Sequence, residues 1–421
     1  MSISKTDSQY IWHPLTQHKT SVAPLPIVRA KGAVLYGEDG KEYIDGIASW
    51  YTAMYGHCHP YIIEQVSRQM QELDLVVFTG FTHKPATTLA EKLFAILPSN
   101  QAKMFFNDNG STAVEAGIKM ALQYHHNKGQ KRATLIAFED GFHGDTFGAM
   151  SVSGLSVYNG PFEDYFLKVE RIPTPKEDNL QEVLEKLGHI ITHNDCAAFV
   201  YEPLVQGAAG MHMYSAAGLE AILKMCKGHE IITIADEVMT GFGKTGKHFA
   251  SLHLETYPDV MCFSKALTAG LVPMSLTTCS QDIYDAFLDD AIAKGFFHAH
   301  TYSGNPLGCA AAIAGIDLLT SEEMQANIKR IEAGHHAFAK AIQNNPKVKN
   351  IRVAGVILAF ELETTMERYG AERTKLYDFF MERGVCLRPL GNTIYIQPPY
   401  VTTDAQMETI YEAIEAAIKK F

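Results

Sequence analysis

Asp236 and Lys265 are the two side chains whose types and spacing carry the most chemistry. Asp236 ends the apolar run Ile231-Ile-Thr-Ile-Ala-Asp236, and Lys265 follows Val260-Met-Cys-Phe-Ser264, 29 residues further on. A lysine in such a place can form a Schiff base with an aldehyde. A carboxylate near it can keep a pyridine nitrogen protonated, so that the ring accepts electrons from a substrate carbanion. Pyridoxal 5′-phosphate chemistry needs this pair, and the lysine, once released, can shuttle the proton. A helix-capping aspartate and an exposed strand-end lysine would have the same signature. The pair alone does not decide between the two.

A phosphate needs donors. Asn109-Gly110-Ser111-Thr112 follows a strand-like run and opens the helical pattern Ala113-Val-Glu-Ala-Gly-Ile-Lys-Met-Ala-Leu122. Free N–H groups at a helix start bind phosphate well. Thr112 with Glu115 also fits a capping box, so an ordinary helix start is the alternative. Gly241-Phe-Gly-Lys-Thr-Gly-Lys-His248 has the glycine and lysine spacing of a nucleotide-binding loop. His248 stands where a hydroxyl should meet magnesium, and no clear helix follows, which argues against that reading. Gly56-His57-Cys58-His59-Pro60, His125-His126 and His298-Ala299-His300 lack further ligands at zinc-like intervals and read as turn or packing residues.

The elements that must position these groups alternate. A helical pattern to Leu97, a strand at 103–107, a helix from Thr112 and a strand at 134–138 form βαβ grammar. Buried runs at 197–202, 231–236, 260–264 and 274–278 continue it and suit a mostly parallel sheet covered on both faces. Asn107, Glu202, Asp236 and Lys265 then fall at the carboxyl ends of strands, where ligands bind in open α/β sheets. Short strands at 27–31, 33–36 and 42–45 precede this region. After about Ser321 come a long helix, paired strands near 351–363 and 385–397 with a Gly391-Asn392 turn, and a last helix from Thr403. The expected division is a large domain over 49–321 and a smaller α+β domain built from 1–48 and 322–421.

Composition excludes several classes. The 421-residue chain is 47% hydrophobic and 20% charged, with a formal net charge of −11. It is long enough for two cores and has no basic footprint for nucleic acid or an anionic membrane. Its 7 cysteines show no C-x-x-C spacing, which fits a reducing cytoplasm rather than a disulfide framework. The amino terminus lacks the pattern of a signal peptide, and no apolar run reaches membrane-spanning length. Small-molecule chemistry in a soluble protein is the expectation.

Taken together, the motifs resemble the class III aminotransferases of pyridoxal-phosphate fold type I over nearly the whole chain. They occur in order as Asn109-Gly110-Ser111, Gly141-Phe142-His143-Gly144, Glu202-Pro203, Ala235-Asp236-Glu237-Val238, Thr240-Gly241-Phe242-Gly243, Ser264-Lys265-Ala266-Leu267 and Thr301-Tyr302-Ser303-Gly304-Asn305-Pro306. The resemblance implies an α/β fold with a mostly parallel central sheet, helices on both faces and a smaller α+β domain. It implies that Lys265 is the Schiff-base lysine, that Asp236 meets the pyridinium nitrogen and that Val238 and Phe142 pack on opposite faces of the ring. Gly110 and Ser111 would hold the phosphate. Thr301, with His300 beside it, would reach the phosphate from a partner subunit, so a homodimer with sites at its interface is implied.

Trp12-His13-Pro14, Asp45-Gly46 with Ser49-Trp50, His143 to Met150 and Arg388-Pro389-Leu390-Gly391 are similar to the branch of that class that aminates 8-amino-7-oxononanoate in biotin synthesis. By that resemblance Trp50 and Tyr51 flank a long apolar acceptor, and Arg388 pairs with its carboxylate. The roles of His143 and Asp145 stay open. Relatives that take S-adenosylmethionine as donor commonly carry Tyr, Tyr and Arg where this chain has Leu15, Phe142 and Lys244, three changes expected around one pocket. S-adenosylmethionine is the expected donor and lysine the alternative. A class III enzyme acting on an ω-amino acid or diamine would share the cofactor residues.

Overall fold

Runs made almost wholly of Val, Ile, Ala, Cys and Phe become strands buried on both faces: Thr134–Phe138, Cys196–Tyr201, Ile232–Asp236 and Val260–Phe263. In this computed structural model, which describes residues 2–156 and 158–421, they form the middle of a seven-stranded sheet. Its order is Gln101–Asn107, Ser275–Ser280, Val260–Phe263, Ile232–Asp236, Cys196–Tyr201, Thr134–Phe138, Val169–Ile172. Ser275–Ser280 runs antiparallel to both neighbours, and the remaining pairings are parallel.

Strand periodicity of two divides the core. Leu135 and Ala137 face one layer with Ala113, Val114, Ile118 and Ala121 of the helix Gly110–Asn127. Ile136 and Phe138 face the other, with Val183, Leu187, Leu219 and Ile222. Helices on both faces leave only the strand ends open to a ligand, and the expected α/β architecture is present.

A separate core gathers around the antiparallel sheet Val348–Ala354, Ile357–Leu362, Thr393–Ile396 and the helices Ala371–Met381 and Asp404–Lys420. The amino-terminal strands Ile27–Lys31, Val34–Gly37 and Glu42–Asp45 form a further sheet that Val385–Cys386 joins in parallel to Glu42–Asp45. The Gly391-Asn392 turn is present, with Leu390 and Thr393 bridged antiparallel across it at 2.9 and 3.1 Å. Beyond that bridge the flanks part, Val385–Cys386 into one sheet and Thr393–Ile396 into another. The irregular start expected at the amino terminus contains the helix Ile3–Tyr10, none of whose residues is buried.

Among the described residues no helix is long and apolar enough to cross a membrane. No group of three or more His, Cys, Asp or Glu side chains among them is arranged to hold a metal.

Candidate active site

Strand register explains the 29-residue spacing. Asp236 lies opposite Cys262 in the parallel pair, so Lys265 comes three residues past its neighbour's level at the same open edge. There the chain turns sharply, with Ser264 extended and Lys265 in the left-handed region at φ 52°. Lys265 is half-buried, and its ammonium lies 5.3 Å from the centre of the Tyr51 ring. Burial pulls its pKa down, and the nearby carboxylates of Asp236 and Glu202 oppose that fall. It is not an exposed strand-end lysine.

Asp236 is no helix cap either. It is 3% exposed. One oxygen accepts from the Val238 N–H at 3.0 Å and the other pairs with His143 Nδ1 at 2.8 Å. His143 Nε2 is buried with no hydrogen-bond partner among the described residues. The role left open for His143 is thus a contact with the carboxylate that would face a pyridine nitrogen. Asp145 is exposed and uses its N–H, which donates to Ser111 Oγ at 3.1 Å.

Glu202 belongs to this cluster although the sequence reading gave it no role beyond its strand end. Its oxygens accept from Phe142 N–H at 2.8 Å and Gly207 N–H at 2.9 Å. Burial pushes its carboxyl up to about 7, against the pull of His143. The signal was available: a glutamate closing the wholly apolar strand Cys196–Tyr201 must be satisfied locally or stay protonated.

The helix beside it starts at Gly110, two residues before the expected Thr112. Asn109 is the cap: its side chain accepts from Thr112 N–H, while the Thr112 hydroxyl takes the third position of the box. Glu115 instead accepts from Gly148 N–H at 2.7 Å. Capping Thr112 leaves the N–H groups of Gly110 and Ser111 without a protein acceptor among the described residues. A Cβ on Gly110 would stand 2.9 Å from Val238 Cγ1, and one on Gly144 would strike Ser111. Free N–H groups at a helix start, a bare-backbone turn beside Val238, the Asp236 carboxylate and the Lys265 amine are a set whose chemistry suits a phosphorylated pyridine aldehyde. Thr301 is exposed, on a segment whose His300 Nδ1 lies 3.5 Å from the Asp108 carboxylate.

Trp50 and Tyr51 sit in an unusual turn. Ala48, Ser49, Trp50 and Tyr51 have φ of 46°, 46°, 67° and 70°. Left-handed backbone costs each L-residue roughly 1–2 kcal/mol, so surrounding contacts must hold it. Tyr51 is buried and its hydroxyl meets that of Tyr395 at 3.1 Å. Trp50 is 41% exposed, and the Arg388 guanidinium lies 5.3 Å from its ring centre. Tyr395 and Arg373 were missed by the sequence reading; Arg373 donates to Pro389 O at 3.0 Å beside Arg388.

Lys244 departs from the expected pocket wall. It is fully buried, and its ammonium donates to Gly241 O at 2.9 Å, whereas Leu15 and Phe142 are exposed. The segment 241–248 forms turns that lead to the short 3-10 helix Ala250–His253, without the helix a nucleotide loop requires. His57 and His125 are taken up by Asp45 and by Gln130 with Ala197 O.

Residues 15–418 match the family Aminotransferase class-III. The chain belongs to the class III aminotransferases. It is 42% identical to an adenosylmethionine-8-amino-7-oxononanoate aminotransferase of Synechococcus elongatus, over 96% of this chain and 97% of that one. Identity to the enzyme of the same name from Geobacter sulfurreducens is 36%, covering 98% and 96%. The crystal structure of an aminotransferase of that name from Methanocaldococcus jannaschii superposes with a TM-score of 0.93 at 33% identity, over 99% and 98% of the two chains. An amine transaminase from an uncultivated Pseudomonas species, solved in its PLP-bound form, gives 0.91 at 28% identity, over 97% and 98%. This chain is a pyridoxal-phosphate-dependent transaminase of fold type I, as its motifs implied.

Proposed function

We propose that this class III enzyme aminates 8-amino-7-oxononanoate to 7,8-diaminononanoate, a step of biotin biosynthesis, with S-adenosyl-L-methionine as the amino donor. The observation that carries the reading is the line of groups from Lys265, across the Tyr51 ring, to Trp50 under Arg388. It joins an amine at the reacting end to an exposed cation at the far end, with aromatic walls between. A long keto acid with a terminal carboxylate fits such a line. The relatives of that name, identical at 32–42% over nearly the full chain, support it.

Gly110 and Ser111 N–H groups would hold the cofactor phosphate, and Phe142 and Val238 would pack against its ring. Bound there, pyridoxal phosphate supplies an electron sink for the carbon that loses its proton. Asp236, fixed by Val238 N–H and His143, would hold a proton at the ring nitrogen of the bound group. Lys265 Nζ, drawn down by burial, takes the proton from the amino-bearing carbon of the donor and returns one to the acceptor. Trp50 and Tyr51 exclude water from the acceptor's chain. Arg388 binds its carboxylate, and Arg373 beside it adds positive field.

Thr301 and His300 complete the phosphate site of a second copy in a homodimer. Five of the seven free cysteines are buried, which suits a reducing cytoplasm. The large unit is taken as 49–321 and the small one as 1–48 with 322–421. Two separate cores and the pairing of Glu42–Asp45 with Val385–Cys386 support this division.

The test mixes the cofactor-loaded enzyme with S-adenosylmethionine, lysine or a diamine singly and follows loss of the cofactor's visible absorbance. The expected result is conversion by S-adenosylmethionine alone, then recovery of the band on adding 8-amino-7-oxononanoate. Conversion by lysine would move the donor assignment, and no recovery with the keto acid would overturn the acceptor.

A further inference from the structure

The Asp45 carboxylate is fully buried and serves neither the cofactor nor the proton transfer. It accepts three hydrogen bonds from the segment that follows it. Ile47 N–H donates to Oδ1 at 3.3 Å, and Ser49 Oγ and His57 Nε2 donate to Oδ2, each at 2.8 Å. These donors enclose the left-handed turn Ala48–Tyr51, whose four positive-φ residues include no glycine. Thr52 Oγ1, donating to Ser49 O at 2.8 Å, closes the other side.

The backbone of Asp45 does a second thing. It stands in register with Cys386, and Gly46 N–H donates to Cys386 O at 3.1 Å, two residues before Arg388. One residue therefore fixes Trp50 through its carboxylate and Arg388 through its strand. The two side chains meet as a guanidinium 5.3 Å from the indole centre.

We propose that Asp45, with Ser49 and His57, is a positioning cluster that holds Trp50 against Arg388 and thereby sets recognition of the acceptor's carboxylate, separately from the cofactor site. The acceptor part rests on the function proposed above. Among the described residues Asp45, Ser49 and His57 make no hydrogen bond to Lys265, Asp236, Gly110 or Ser111, and Tyr51 has its own anchor in Tyr395, so loss of the cluster frees the indole first.

The chain has two tryptophans, Trp12 and Trp50, so a Trp12→Phe background leaves Trp50 as the only indole. In that background Ser49→Ala, His57→Ala and His57→Gln are compared with their parent, each loaded with cofactor. Glutamine keeps an N–H donor that can face the carboxylate. Each alanine variant removes a hydrogen bond to a buried acceptor. The expected result is acrylamide quenching of Trp50 increased about twofold and KM for the keto acid raised about tenfold, in line with roughly 1.4 kcal/mol for one such bond. Turnover at saturation, the donor half-reaction and the cofactor's absorbance stay at the parent's values, and His57→Gln recovers most of both effects.

Unchanged quenching in both alanine variants overturns the proposal. So does a fall in turnover and cofactor absorbance together, or a His57→Gln variant no better than His57→Ala. If the parent itself does not use the keto acid, the function above fails while the quenching and its recovery still decide whether the cluster holds Trp50.

Discussion

Glu202 shows how burial writes chemistry into a single residue. Its carboxyl holds a proton up to about pH 7 in the folded protein, against 4.5 for an ordinary glutamate. A raised acid binds its proton more tightly when folded, so its contribution to stability is full below about pH 4.5 and is lost as pH rises through about 7. The cofactor-free protein should therefore lose up to roughly 3 kcal/mol across that window from this residue. Urea denaturation of wild type and Glu202→Gln at half-unit steps should show a flatter slope for the variant; equal slopes would remove the assignment. Lys265→Ala should cut turnover by at least roughly 10⁴-fold, the upper range for a lost proton-transfer group, while circular dichroism stays unchanged. Residual product formation near wild type would make the lysine a bystander.

At the scale of elements, the proposed phosphate turn depends on what Gly110 lacks. Gly110→Ala would push a methyl to 2.9 Å from Val238 Cγ1. Overpacking of this kind costs about 1–3 kcal/mol, so pyridoxal phosphate should dissociate about tenfold more readily, measured by equilibrium dialysis. Asn109→Ala removes the cap at the same helix and should lower stability by about 1 kcal/mol in thermal unfolding.

The buried strands that carry Asp236 and precede Lys265 were legible because they are apolar runs of strand length ending in polar residues. The Ala48–Tyr51 turn was not. Nothing in Ala-Ser-Trp-Tyr announces left-handed backbone, which here is imposed by a carboxylate that precedes it and a histidine that follows it. The Gly391-Asn392 turn was half legible: its local residues suit a tight turn and do close a bridge between Leu390 and Thr393, but only the whole fold sends the strands beyond that bridge to different sheets. Lys244 likewise carried the charge expected of a pocket wall, and its burial could not be read from its neighbours in sequence.

For the whole molecule, the proposed dimer has a direct genetic test. If Thr301 serves the partner's site, a mixed dimer of Lys265→Ala and Thr301→Ala chains contains one site with both defects and one with neither. Co-expression should then restore activity well above either parent, and failure to do so would place Thr301 in its own chain's site. Sedimentation should give a dimer, since Trp12, Phe81, Ile292 and Phe297 present large apolar surfaces to solvent in the single chain, at 89%, 60%, 79% and 76% exposure.

The pairing of Glu42–Asp45 with Val385–Cys386 also orders events in time. The proposed cofactor residues contributed by the chain to its own site lie within 107–265, a stretch that leaves the ribosome before Arg388 has been made. Contacts that join the two ends of a chain close late, because a long loop must be ordered first. During synthesis, then, this chain's proposed cofactor residues are on hand first, and the proposed grip of Arg388 on the substrate's carboxylate comes into place later.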